Sequence, residues 1–230
     1  MNSNSKLGSS IAILQPSYLP WLGFFEQMFK VEVFVIYDEV QFDKNGWRNR
    51  NRIKTVQGAQ WLTVPVLTKG KSKPANHAVK VNSAVNWNQK HLKSIELNYK
   101  KLPFFNDFSP KIEEVLKKNW NFLLDLNLNL IYLIKDYLGI DTPIKLSSEI
   151  PSKIETAISP EERLVEICRF FGATTFYEGY AGKKYIEESY FSKSGIKLVF
   201  QEYHHPIYRQ GFGEFVPYLS TIDLIFNEGP

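Results

Sequence analysis

Ile11-Ala12-Ile13-Leu14-Gln15-Pro16 reads as a short buried strand, apolar and rich in β-branched residues, that runs straight into a proline-bearing loop. Pro16 and Pro20 hold that loop extended, and from Trp21 to Lys30 the residues Leu22, Phe25, Met28 and Phe29 recur at helical spacing. Val33-Phe34-Val35-Ile36-Tyr37 is a second strand and ends at Asp38. Strand, loop, helix, strand is the opening unit of a parallel sheet, and the crossover rule makes it right-handed. Ligands of such sheets bind beyond the carboxyl ends of the strands. Gln15–Pro20 and Asp38–Gln41 are therefore expected to face one crevice.

Further along, Trp61–Val66 predicts a strand, with Pro65 placing it at an edge or a strand end. Lys69–Asn76 is a polar loop. Asn88–Tyr99 and Ile112–Leu138 predict helices, the second with a broad apolar face from Trp120 to Leu138 and Gly139 as its stop. Ser159-Pro160-Glu161-Glu162 is the sharpest local signal: Ser159 as N-cap, Pro160 at the first helical position, Glu162 completing a capping box, and Gly172 ending the helix. Thr174–Glu178, Gly182–Ser189 and Ile196–Phe200 then predict strand, short helix and strand, a second parallel unit. Ser220 is a natural N-cap for a terminal helix closed by Gly229. The expected organisation is a disordered tail over residues 1–10 and a single α/β domain over 11–230, with 86–140 as a mainly helical insertion or lid.

Composition narrows the function classes. Hydrophobic residues at 43% and charged residues at 23% describe an ordinary globular chain and exclude a disordered or fibrous one. Twelve Tyr, seventeen Phe and five Trp exceed what packing requires, so some are expected to line a ligand-accepting surface. The formal charge of +4 is too mild for a nucleic-acid partner. Much of it sits in Lys44–Lys54 and Lys69–Lys80. One cysteine, Cys168, makes neither an intramolecular disulfide nor a Cys-rich metal site, and cytoplasmic localisation is the default. Neither a secretion signal nor a membrane span is readable, and the sequence requires no cofactor.

Three blocks carry a resemblance. Gln15-Pro16-Ser17-Tyr18-Leu19-Pro20-Trp21-Leu22-Gly23, then Asp38-Glu39-Val40-Gln41-Phe42, then Trp47-Arg48-Asn49-Arg50-Asn51-Arg52-Ile53-Lys54 match the pattern of WbqC-like proteins, and His205-Pro206-Ile207-Tyr208-Arg209-Gln210 with Asp223–Gly229 continues it. The chain thus resembles the WbqC-like family from Ile11 to Pro230. That likeness implies a place in O-antigen or related surface-polysaccharide biosynthesis; it brings no established catalytic residue set. The opening also resembles nucleotidyltransferase-type enzymes such as pantothenate synthetase, which implies a Rossmann-like parallel sheet. In those enzymes two histidines of the strand-end loop bind ATP. Here the loop holds Tyr18 and Trp21 and no histidine, so the fold likeness does not bring the ATP chemistry with it.

The candidate site follows from residue chemistry. Arg48, Arg50 and Arg52 alternate with Asn49 and Asn51 beside Trp47 and Lys54, a pattern suited to a nucleotide-sugar diphosphate or an acyl carboxylate; the alternative is a solvated basic turn with Trp47 packed beneath. Gln15, Tyr18 and Trp21 offer an amide, a phenol and a ring platform, with Tyr18 orienting or protonating a substrate or else filling a rigid core turn. Asp38 suits a base, a metal or a ribose hydroxyl, or caps the next turn; Gln41 and Lys44 stand near it. His205 is the candidate general acid or base, with Tyr208 and Gln210 alongside. Glu178 precedes a glycine-rich turn, Gly179–Lys184, that presents amides and a lysine to phosphate or is simply tight. Zinc is not expected, and Cys168 reads as core. Catalysis is thus assigned to His205, Asp38 and Tyr18. The expected function is a transferase or ligase acting on a nucleotide-linked amino sugar or acyl donor, a small-molecule substrate; the alternative is a non-catalytic glycan- or partner-binding protein.

Overall fold

A computed structural model of the chain describes residues 9–44, 46–67, 74–151 and 159–230. In chain order these form β1 (Ser10–Leu14), α1 (Leu22–Lys30), β2 (Val33–Ile36), β3 (Arg50–Thr55), β4 (Gly58–Thr63), β5 (Val66–Leu67) and β6 (Lys80–Val81). Three helices follow, α2 (Trp87–Tyr99), α3 (Phe105–Lys117) and α4 (Leu123–Tyr137), then β7 (Ile144–Leu146) and α5 (Pro160–Phe170). β8 (Thr175–Glu178), α6 (Glu188–Lys193), β9 (Lys197–Phe200) and α7 (Thr221–Glu228) complete the chain. Most of the expected N-terminal tail and of the Lys69–Asn76 loop lies outside the described residues. No described helix is long and apolar enough to cross a membrane.

The described chain divides into two compact units. The first holds the chain up to Gln15, Gly23–Asp38 and Ile140–His204; the second holds Pro16–Leu22, Glu39–Gly139 and His205–Pro230. The first unit is a five-stranded sheet in the order β7-β2-β1-β8-β9, every neighbouring pair parallel. In order of appearance along the chain these are the third, second, first, fourth and fifth strands of the sheet, the Rossmann arrangement. Side chains alternate across it as the pleat demands. Ile11, Ile13, Val35, Phe176 and Leu198 pack with Leu164, Ile167 and Cys168 of α5 and Phe191 of α6, while Phe34 on the opposite face meets Phe24 of α1 at 5.0 Å between ring centroids. Helices therefore cover both faces, as in a mixed α/β fold of Rossmann type.

Local signals hold where they were strongest. The Ser159 hydroxyl accepts from the Glu162 amide at 3.1 Å and the Glu162 carboxylate accepts from the Ser159 amide at 2.7 Å, a closed capping box. Cys168 is fully buried, its thiol pushed up to about 12 by burial. The expected helix Gly182–Ser189 is instead a 3-10 turn over Tyr180–Lys184 followed by α6, because the amides of Tyr185 and Ile186 both close on the Gly182 carbonyl and end the turn. The strand β7 escaped a sequence reading: three residues are too few to show alternation.

The second unit joins the β3–β4 and β5–β6 ribbons to α2, α3, α4 and α7. Two expectations change here. The run Trp47–Lys54 is not the solvated basic turn that stood as its alternative reading, since from Arg50 onward it is β3, paired antiparallel with β4 from Arg50 opposite Thr63 to Thr55 opposite Gly58. The single helix expected over Ile112–Leu138 is two, α3 and α4. Trp120 Nε1 takes the Val115 carbonyl at 2.9 Å, and the backbone of Asn121 and Leu123 bonds to Val81 and Val79, which pulls Lys118–Phe122 out of helical geometry toward β6. Gly229 ends α7 at φ +86°, where a Cβ would stand 2.8 Å from the Phe104 ring, so no other residue fits.

Candidate functional site

In the first unit the reversal of strand order falls between β1 and β8, and two expected site residues stand at the carboxyl ends there: Gln15 just after β1 and Glu178 closing β8. Glu178 is half-buried, and its stem lies over Gly182, where a Cβ would come within 2.5 Å of its Cγ. Burial raises its carboxyl to about 8, opposed by the Gly179 amide that bonds to it. At neutral pH this acid is mostly protonated and able to donate. Lys183, in the turn after it, lies over Tyr180 at 4.8 Å and Phe200 at 5.5 Å.

Asp38, also at a carboxyl end, is 1% exposed. Its Oδ1 accepts from the Ser147 hydroxyl at 2.9 Å and the Ser148 amide at 3.0 Å, and its Oδ2 accepts from the Ser148 hydroxyl at 2.7 Å. The carboxylate thereby ties the end of β2 to the segment after β7. A second polar cluster was not foreseen. Gln201 Nε2 donates to the Gly23 carbonyl at 2.8 Å and to Glu26 Oε2 at 2.6 Å, its Oε1 accepts from Gln27 Nε2 at 3.1 Å, and the Tyr177 hydroxyl donates to Glu26 at 3.2 Å. The position of Gln201 directly after an apolar strand was the available signal.

In the second unit the loop Pro16–Trp21 turns at Leu19, φ +43°. Asn51 Nδ2 holds it by donating to the carbonyls of Leu19 at 2.6 Å and Tyr18 at 3.3 Å. Tyr18 is fully buried beside Trp87 and its hydroxyl lies 2.8 Å from His91 Nδ1. His91, held down to about 4 by burial, is neutral and gives its other ring N–H toward the Thr63 carbonyl, so Tyr18 is the donor of this pair. Burial also raises the Tyr18 phenol.

The Arg/Asn run splits by strand period. Asn49 Nδ2 donates to the Val64 carbonyl at 2.7 Å, and Asn127 Nδ2 to that of half-buried Arg48 at 2.8 Å. Arg50 instead lies over the Trp61 ring at 4.4 Å, and Arg52 stands 5.6 Å from Trp47 and 5.7 Å from Trp61. Trp47 and Trp61 meet at 5.1 Å. Lys54 is buried; its amide donates to the Tyr99 hydroxyl at 2.8 Å and its ammonium to the Glu214 carbonyl. Gln41 bridges to Ala75, and Lys44 is exposed.

The C-terminal block joins this assembly. Asp223, fully buried, accepts from Tyr99 at 2.7 Å, Tyr208 at 2.8 Å and Gln210 at 2.9 Å; burial raises its carboxyl and these donors oppose the rise. His205 lies beside Tyr218 at 5.0 Å, Phe215 at 5.9 Å and Tyr208 at 6.3 Å, and its Nε2 accepts from the Tyr218 amide at 3.4 Å. Burial holds the imidazole below its ordinary value, hence neutral at pH 7. Tyr218 meets Trp21 at 5.6 Å, and its carbonyl accepts from Arg52 at 3.4 Å. Trp21, Trp47, Arg50, Tyr208 and His205 thus share one contact network with Arg52, Tyr218 and Trp61, of which Trp61 had been read only as part of a strand. Tyr18 and Asn49 face inward instead, and Lys54, which shares the strand face of Arg50 and Arg52 by period, is buried against the Glu214 carbonyl.

The model of the WbqC-like protein family matches residues 15–230. The uncharacterised protein Rv1507c of Mycobacterium tuberculosis is 35% identical over 221 residues, covering 95% of this chain and 94% of that relative. No solved structure matches the chain. A family match that runs from the strand-end residue Gln15 to the C-terminus, joined to a relative similar over nearly its whole length, places this chain in the WbqC-like protein family.

Proposed function

We propose that this WbqC-like chain is a cytoplasmic transferase or ligase whose small-molecule substrate is a nucleotide-activated donor, an amino sugar or an acyl group, in surface-polysaccharide or related biosynthesis. The observation that carries this reading is the strand order of the first unit, which brings Gln15 and Glu178 to the carboxyl ends of the strands flanking its reversal. Gln15 supplies an amide for a base or ribose edge, and Lys183 supplies a cation for phosphate. Glu178, protonated near neutrality, is suited to give its proton to the departing atom, a phosphate oxygen or the sulfur of a thioester carrier, and to recover it from the incoming group. Asp38 acts as a positioning residue, its oxygens occupied by Ser147 and Ser148.

The test is a panel of nucleotide sugars and acyl-coenzyme A donors, with binding followed by calorimetry and turnover by product release. A member that is turned over by the full chain, and that Glu178→Gln still binds but turns over roughly 100-fold more slowly, supports the assignment. Loss of the alkaline limb near the Glu178 value from the pH profile of that variant sharpens it. A chain that binds no donor, or a variant as fast as the parent, overturns it.

A further inference from the structure

We infer that the outer face of the β3–β4 hairpin, with Tyr218, Trp21 and His205 beside it, is a binding site for a sugar ring that carries an oxyanion, either phosphate or carboxylate. It does not depend on the nucleotide reading of the parallel sheet. The register sets Arg52 opposite Trp61 and Arg50 opposite Thr63, so these four side chains share one face, while Asn51, Ile53 and Leu62 are buried on the other. Trp47, Trp61 and Tyr218 keep 40%, 43% and 48% of their surface in solvent. Trp47 and Trp61 meet at 5.1 Å and Arg52 links them to Tyr218, so large rings left open around one guanidinium could each gain by further burial against a ligand.

The cations define the ligand further. A guanidinium lying over an indole is held in plane by the ring and presents its edge N–H groups outward, the geometry that grips an oxyanion with two parallel bonds. Arg50 lies over Trp61 with 4.4 Å to the ring centroid, and its Nε donates to the Gly46 carbonyl at 3.3 Å, so its terminal nitrogens are the ones placed at the rim of this face. Among the described residues no carboxylate pairs with Arg52, and its exposed terminal nitrogen makes only a long bond, 3.4 Å, to the Tyr218 carbonyl; its Nε is buried out of a ligand's reach. An anionic group on the ligand supplies what this charge lacks.

Tyr218 adds an independent mark. Its φ is +58°, a left-handed conformation that costs an aromatic residue on the order of 1 kcal/mol or more. That strain holds its ring between Trp21 and His205. The result is an apolar ring surface rimmed by guanidinium, hydroxyl and imidazole groups. A pyranose has the complementary build, a face of C–H groups with hydroxyls around the edge. Single-stranded nucleic acid would need a longer basic track than a chain of net charge +4 offers.

All five tryptophans belong to the second unit, and three of them, Trp21, Trp47 and Trp61, stand on or beside this face, so tryptophan emission of the full chain reports on it. The experiment titrates glucose 1-phosphate, glucuronic acid, glucose, inorganic phosphate and oligouridine RNA, following emission at two salt concentrations. A saturable change with glucose 1-phosphate or glucuronic acid is expected, with glucose and inorganic phosphate at least ~10-fold weaker; the two anionic arms identify which oxyanion is preferred. Arg52→Gln should weaken binding by roughly 10-fold or more and Trp61→Ala should remove it. Arg50→Gln serves as the second cation variant if Trp61→Ala melts early. Equal binding of inorganic phosphate, no response to either anionic sugar, or tighter, steeply salt-dependent binding of RNA overturns the proposal. Each of these outcomes leaves the donor panel and Glu178→Gln unaffected, so the two readings fail separately.

Discussion

In the first unit the polar residues of interest stand just beyond strand ends, whereas in the second they alternate along a strand. Gln15, Asp38, Glu178 and Gln201 each follow or close an apolar strand, where a parallel sheet leaves its carboxyl ends open. Asn49 and Asn51 turn inward to carbonyls of Val64, Tyr18 and Leu19, while Arg50 and Arg52 turn outward onto indole rings. Topology positions a polar group in one case and strand period in the other. An asparagine between two arginines is therefore a stitch in the hairpin, whatever its neighbours bind.

The two regions should separate most widely in their response to pH. Glu178 in the first unit has a folded value near 8 against an ordinary value of 4.5, so its contribution to stability is full below the lower figure and is lost as pH rises to the higher. His91 in the second unit is depressed from 6.5 to about 4, so its contribution is full above the higher figure and is lost as pH falls to the lower. Each window should carry a change on the order of 3 kcal/mol or more in denaturant stability. Glu178→Gln should remove the fall in stability as pH rises from 4.5 to about 8, and His91→Gln the rise as pH goes from about 4 to 6.5, the two opposing each other where the windows overlap. A single variant that flattened both would mean the two groups titrate as one system.

Next in size is the inward stitch. Asn51→Ala removes donors to two buried carbonyls and the acceptor for the Arg52 amide, and should cost about 3 kcal/mol by chemical denaturation. Its counterpart in the first unit, Ser148→Ala, removes one hydroxyl from the Asp38 carboxylate and should cost about 1.5 kcal/mol. A reversed order would show that the sheet, not the hairpin, depends on its polar ties.

How much of this could be read from the chain follows the same division. β1 and β2 are apolar runs beside a proline loop, and the Ser159 box is a local motif, so both were legible. β3 was not, because Arg-Asn-Arg has neither apolar alternation nor β-branched residues before Ile53; only pairing with β4 and the Trp61 ring make it a strand. The site shows the same limit. His205 and Trp21 could each be nominated by residue type, but their connection runs through Tyr218, held in a conformation that an aromatic residue rarely adopts and that sequence does not announce. Tyr18 looked like a substrate group because phenol chemistry allows it, yet the loop that carries it is folded onto His91 and Trp87.

The smallest effect is the most discriminating. Arg50→Gln removes a half-buried charge from the outer face of the hairpin and its bond to the Gly46 carbonyl but leaves the β3–β4 ladder intact, and a long 3.3 Å bond and a cation lying on an indole contribute little to folding. Its cost in denaturant stability should stay within about 0.5 kcal/mol, whereas Asn49→Ala, one residue earlier, loses a buried bond of 2.7 Å and should cost about 1–2 kcal/mol. Thermal and urea unfolding of the two variants in the same buffer measures the difference. If Arg50→Gln proved as damaging as Asn49→Ala, the guanidinium would be part of the hairpin's framework, and the outward half of the run would have to be given the same structural role as the inward half.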